Sequence, residues 1–121
     1  MVIGAAQVEL HVHASRSLKA KRSVVRSIVR RVRNEFNVAV AEVGGQDTWQ
    51  WAVLGLAAVG HDGGSVRSVL ERVVDFIDAL HLAEVTDQSV EVLGRDLGTW
   101  ADAEGEDEDE DEEEEEDEGE E

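Results

Sequence analysis

An α+β domain in the order β-α-β-β-α-β is what this sequence predicts, and three observations carry the prediction. The chain opens on a stretch of period two. Two later segments repeat apolar residues at three- and four-residue spacing. Between them a pair of glycines separates two β-rich runs. That order is the split βαβ, or ferredoxin-like, arrangement: an antiparallel sheet with two helices on one face and the other face free.

In residues 2–13, Val2, Ala6, Val8, Leu10 and Val12 share one parity and Gln7, Glu9, His11 and His13 the other. Such alternation is a half-buried strand. Ser15 and Ser17 are candidate N-caps for a helix reaching about Phe36, whose buried stripe is Val25, Ile28, Val29, Val32 and Phe36. Asn37 to Val43 is expected as the second strand and Trp49 to Val59 as the third, with the turn at Gly44-Gly45-Gln46-Asp47. The third strand is apolar on both parities, which predicts a central place with a cover over each face. The loop from Gly60 to Ser65 ends in an expected N-cap. A second amphipathic helix then follows to about Leu80, with Val66, Val69, Leu70, Val73, Val74, Ile77 and Leu80 facing inward. A last strand is expected around Ser89 to Leu93.

The net charge of -18 hides a division of the chain. Residues 101–121 hold 17 acidic and no basic side chains, so the remaining 12 acidic residues nearly balance the 11 basic ones. The reading is one domain over residues 1–95 and an acidic, disordered tail over 96–121, too poor in apolar groups to offset its ordering entropy. Cysteine is absent, which excludes disulfides, thiolate metal sites and cysteine nucleophiles. The N-terminal stretch lacks the basic flank of a signal peptide, and no apolar run is long enough for a membrane span; a cytoplasmic location is expected.

Residues 16–33 hold eight basic and no acidic side chains. Lys19, Arg22, Arg26, Arg30 and Arg33 recur at helical spacing, within one arc of about 80° at about 100° per residue. A ridge of this kind suits phosphate backbones, which arginine grips in forks regardless of sequence. The nucleic-acid-binding set read from the sequence is Lys19, Lys21, Arg22, Arg26, Arg30 and Arg33. The expected partner is RNA or a ribosomal particle. The tail, whose span is of order 25 Å for a flexible segment of its length, can reach this ridge as a competing polyanion.

The block Ser17-Leu18-Lys19-Ala20-Lys21-Arg22, followed by Ala41-Glu42-Val43, Gln46-Asp47 and Trp49-Gln50, resembles the YlxP-like family of small bacterial proteins of unknown function, over about residues 1–93. The resemblance implies a ferredoxin-like domain. It also raises the expectation of a role near RNA or the ribosome, because family genes tend to lie beside those for transcription, translation-initiation and ribosome-maturation factors. His13 stands where the family usually has proline, and Trp51 where it usually has a basic residue.

Other chemistries find less in this sequence. Trp49 and Trp51, two apart on an expected strand, suit an interface anchor better than base stacking, since the first strand lacks an aromatic. Glu9, His11 and His13 share a strand face, but side chains on one strand point in parallel and no second segment clearly supplies further ligands, so no metal and no cofactor is expected. An acylphosphatase-like site would need an arginine after the first strand, a role open to Arg16, and an asparagine on the third strand; the asparagines are Asn34 and Asn37. No catalysis is therefore assigned. The expectation is a non-enzymatic accessory factor acting through the basic helix. The alternative is a homodimeric protein-interaction scaffold that uses the free sheet face and its tryptophans.

Overall fold

The computed structural model describes residues 1–94, and the disorder expected of the tail lies outside them. The elements are β1 (Val2–His11), α1 (Leu18–Glu35), β2 (Ala39–Gly44), β3 (Trp51–Gly60), α2 (Gly63–Ala79) and β4 (Glu84–Leu93). The four strands form one antiparallel sheet in the order β2-β3-β1-β4. This is the ferredoxin-like fold.

The inward parity of β1 is the one that the alternation predicts, and in β3, apolar on both parities, the even-numbered residues face inward. Ala6, Val8 and Leu10 of β1 and Ala52, Leu54, Leu56 and Ala58 of β3 are buried with Val25, Ile28 and Val32 of α1 and Val66, Leu70, Val73, Val74 and Ile77 of α2. Helix α2 lies so close to β1 that a Cβ on Gly4 would come within 2.5 Å of Val66 Cγ1 and 2.8 Å of Leu70 Cδ1. Only glycine fits under that helix. The second cover expected over β3 is not found among the described residues: both helices lie on one face, and Trp51, Ala57 and Val59 are exposed on the other.

Element ends differ from the sequence reading for identifiable reasons. Ser17 caps α1, its hydroxyl accepting from Ala20 N at 3.0 Å, while Ser15 is buried and donates to Ser17 O. Helix α2 is capped by Asp62 rather than Ser65. Ser65 is the partner, donating its amide and hydroxyl to the Asp62 carboxylate at 2.9 and 2.7 Å. Strand β3 begins at Trp51, so Trp49 lies in the preceding turn and not on the strand. Strand β4 begins at Glu84, well before Ser89. A bulge opposite Glu9–Leu10 leaves Thr86 unpaired, so Val85 and Val90 both face inward although their numbers differ in parity. The bulge broke the alternation from which the strand would have been read.

Candidate functional site

Lys19, Arg22, Arg26, Arg30 and Arg33 all lie exposed on the outer side of α1, as the helical spacing requires. Lys21 does not belong with them. It projects from the inner side and is fully buried, so its ammonium is unavailable to an external phosphate. Its Nζ donates to the carbonyls of Gly45 and Trp51 and lies 3.1 Å from Glu42 Oε2. That oxygen is buried and has no hydrogen bond, so the ammonium charge is what offsets its desolvation. Lys21 thus ties α1 to the turn between β2 and β3. Gly45 adopts φ +78° there, and the Thr48 hydroxyl lies 3.0 Å from each of the same two carbonyls, within reach to donate to either. The sequence reading counted Lys21 by its charge, but the helical period places it about 160° from Lys19 on the ridge.

The ridge borders a groove of about 580 Å³ between α1 and β2, which is an edge strand. Val25, Val29 and Val40 contribute its apolar lining, and Arg26, Arg30 and Arg33 rise along the helix side. The Arg33 guanidinium donates to Val40 O at 3.0 Å and fixes one end of the groove. Among the described residues Glu42 is the one carboxylate of the lining, and it is committed to Lys21. The cations along the groove therefore face no free acid of the described residues within it. Arg33 suits the last turn of the helix, but helix stability does not account for the other cations. Lys19 lies in the first turn, where a positive charge opposes the macrodipole, and Arg22–Arg26 and Arg26–Arg30 are like-charge pairs at i,i+4.

The free sheet face has a different chemistry. Val43, Trp51, Val59 and Leu93 are exposed there, Val59 to 70%. Trp49 is exposed in the turn beside them. At one end of this face His11 sits in register between Trp51 on β3 and Glu84 on β4. The Trp51 ring stacks on His11, with centroids 4.4 Å apart and planes 7° from parallel. The His13 ring is tilted against His11, with centroids 3.9 Å apart. His13 Nε2 meets Glu84 Oε1 at 2.5 Å. His13 and Trp51 therefore both lie against His11. The expectation that no second segment joins the histidines is corrected here. Glu84 does so from β4, and it was missed because the bulge hid the start of that strand. Gln50 was also missed; its amide donates to the carbonyls of His13 and Ser15 and holds the loop after β1.

Asn34 lies on α1 and Asn37 between α1 and β2, so neither is on β3, where an acylphosphatase-like site would need one. No helix among the described residues is long and apolar enough to cross a membrane.

Comparison with known proteins agrees with the motif blocks. Residues 3–90 match the family described as "Protein of unknown function (DUF503)". The chain is 42% identical over 85 residues to the uncharacterized protein YlxP of Bacillus subtilis (strain 168), covering 70% of this chain and 92% of that one. Among solved structures, the de novo designed protein Foldit4 is 14% identical with a TM-score of 0.44, covering 78% of this chain and 97% of that one. The matched span contains both helices and nearly the whole sheet, and on it the chain belongs to the YlxP-like DUF503 family.

Proposed function

We propose that this domain is a non-enzymatic accessory factor that contacts RNA or a ribonucleoprotein particle through the ridge Lys19, Arg22, Arg26, Arg30 and Arg33. One observation carries the reading: three of these five exposed cations, Arg26, Arg30 and Arg33, line a groove whose single carboxylate among the described residues is already paired with buried Lys21. An uncompensated row of guanidinium groups beside an apolar floor suits a phosphate backbone, with base or sugar edges against the floor. Such contact is independent of sequence and falls with salt. A cytoplasmic site of action accords with this reading.

The test is a titration of fluorescent single-stranded RNA at several salt concentrations. Replacing Arg22, Arg26 and Arg30 together by Gln lowers affinity and reduces the slope of log K against log salt by roughly two to three. An unchanged slope with an intact fold removes the ridge from the contact. In this reading the acidic tail is an intramolecular competitor for the ridge, at an effective concentration of order millimolar. Truncation after Trp100 then tightens RNA binding in low salt, and the gain disappears when the three arginines are already Gln. A gain that survives in that background assigns the tail to general charge repulsion.

A second reading, a homodimeric scaffold, is favoured by the free sheet face, where Trp51 and Val59 are exposed on a central strand. Trp51→Arg dissociates such a dimer in sedimentation while circular dichroism stays unchanged. A monomeric parent protein contradicts it.

A further inference from the structure

We propose that His11, His13 and Glu84 form a binding site for one divalent transition-metal ion of the zinc class, on the sheet face opposite the basic ridge. The proposal is independent of the RNA reading, because no residue is shared between them.

Three donors converge. One ligand atom from each of His11, His13 and Glu84 lies within 4.8 Å of the other two. A tetrahedral ion bound at about 2.0–2.1 Å to nitrogen and oxygen spaces its ligands about 3.4 Å apart. Reaching that spacing takes small rotations of His13 and Glu84, which are 62% and 57% exposed and free to make them. The strand geometry shows why two histidines two apart can meet. His11 is the last residue of β1, and His13 lies beyond it in the turn, where the backbone no longer holds side chains parallel. Glu84 arrives from the neighbouring strand in register with His11. The stack on Trp51 fixes the His11 ring, and Gln50 holds the backbone carbonyl of His13. One ligand is therefore pre-oriented and a second sits on an anchored loop.

The donor chemistry selects the ion. Two imidazoles and one carboxylate form a set that suits zinc and its neighbours and leaves a fourth position open to solvent. Magnesium and calcium prefer all-oxygen sets. The 17 carboxylates of residues 101–121 are such a set and are the natural competitor, so the test must separate the two.

The full-length chain is titrated with Zn2+ by calorimetry in excess Mg2+, which occupies oxygen-only sites. One equivalent per chain is expected, and His13→Ala and Glu84→Gln each weaken it by about tenfold or more. Co2+ gives the visible bands of a tetrahedral nitrogen-ligated ion, and these vanish in the His11→Ala/His13→Ala variant. Circular dichroism confirms that each variant is folded. No saturable Zn2+ binding in Mg2+, or binding that the His11→Ala/His13→Ala variant leaves unchanged, overturns the site and leaves His13–Glu84 as a surface ion pair.

Discussion

Helices α1 and α2 pack side by side on the same sheet face, each burying a stripe of branched apolar residues, yet they present opposite surfaces to water. The outer face of α2 mixes Arg67, Glu71, Arg72, Asp75 and Asp78. The outer face of α1 carries Lys19, Arg22, Arg26, Arg30 and Arg33 together with Arg31, and its only acidic residue is Glu35 at the end. Since one fold accommodates both patterns, packing does not demand the basic one. The inner faces differ as well. Helix α2 is seated by close apolar contact over Gly4, whereas α1 is seated by a buried ion pair and two backbone carbonyls through Lys21. The basic charge of α1 thus divides into one structural cation and a row of solvent-facing ones.

The largest expected effect comes from breaking the inner anchor of α1. Lys21→Met leaves the buried Glu42 Oε2 without its counter-charge and should cost about 3 kcal/mol in chemical denaturation, the low end for a broken buried pair because the Glu42 side chain is partly exposed. Lys21→Met with Glu42→Leu should recover much of that loss, because the uncompensated carboxylate is gone and the Thr48 hydroxyl can still donate to one of the two carbonyls. A double variant as unstable as the single one would show that the ammonium acts through the carbonyls instead. The corresponding anchor of α2 is steric. Gly4→Ala forces Val66 and Leu70 aside and should cost about 1–3 kcal/mol, seen as a lower melting temperature.

The outer faces respond in the other direction. Replacing Arg22, Arg26 and Arg30 by Gln relieves like-charge pairs at i,i+4 and should stabilise the domain by up to about 1 kcal/mol at low ionic strength, with the gain fading in salt. A ridge that stabilises the fold would instead lose melting temperature when neutralised. The smallest effect lies at the start of α2. Hydrogen bonds from the Ser65 hydroxyl and amide hold the Asp62 carboxyl below its ordinary pKa. A depressed carboxylate adds stability above its unfolded pKa and loses it as pH falls through the folded one. Asp62→Ala should therefore lower the melting temperature slightly at neutral pH, and the difference should close in acid.

How much of this was legible in the sequence depended on whether local periodicity survived the tertiary fold. The alternation of β1 and the three- and four-residue spacing of both helices gave the element order and the core faces, because nothing interrupts those patterns. The start of β4 was hidden by the bulge at Thr86, and with it went Glu84. Trp49 was read onto β3 because a turn and a strand start look alike when both hold a tryptophan. Lys21 was counted by charge type, although its helical angle was readable and set it on the core side. Its partner Glu42, from β2, was not readable, since pairing across elements leaves no local pattern.

The central claim is that the outer face of α1, and not net charge, makes the contact with RNA. Two variants of equal net charge test it most directly: Arg22→Gln/Arg26→Gln on α1 and Arg67→Gln/Arg72→Gln on α2, each titrated with the same single-stranded RNA over a range of salt. The account predicts that the α1 pair reduces the slope of log K against log salt by about one and a half, while the α2 pair leaves it near the parent value. Equal changes in the two variants would contradict it.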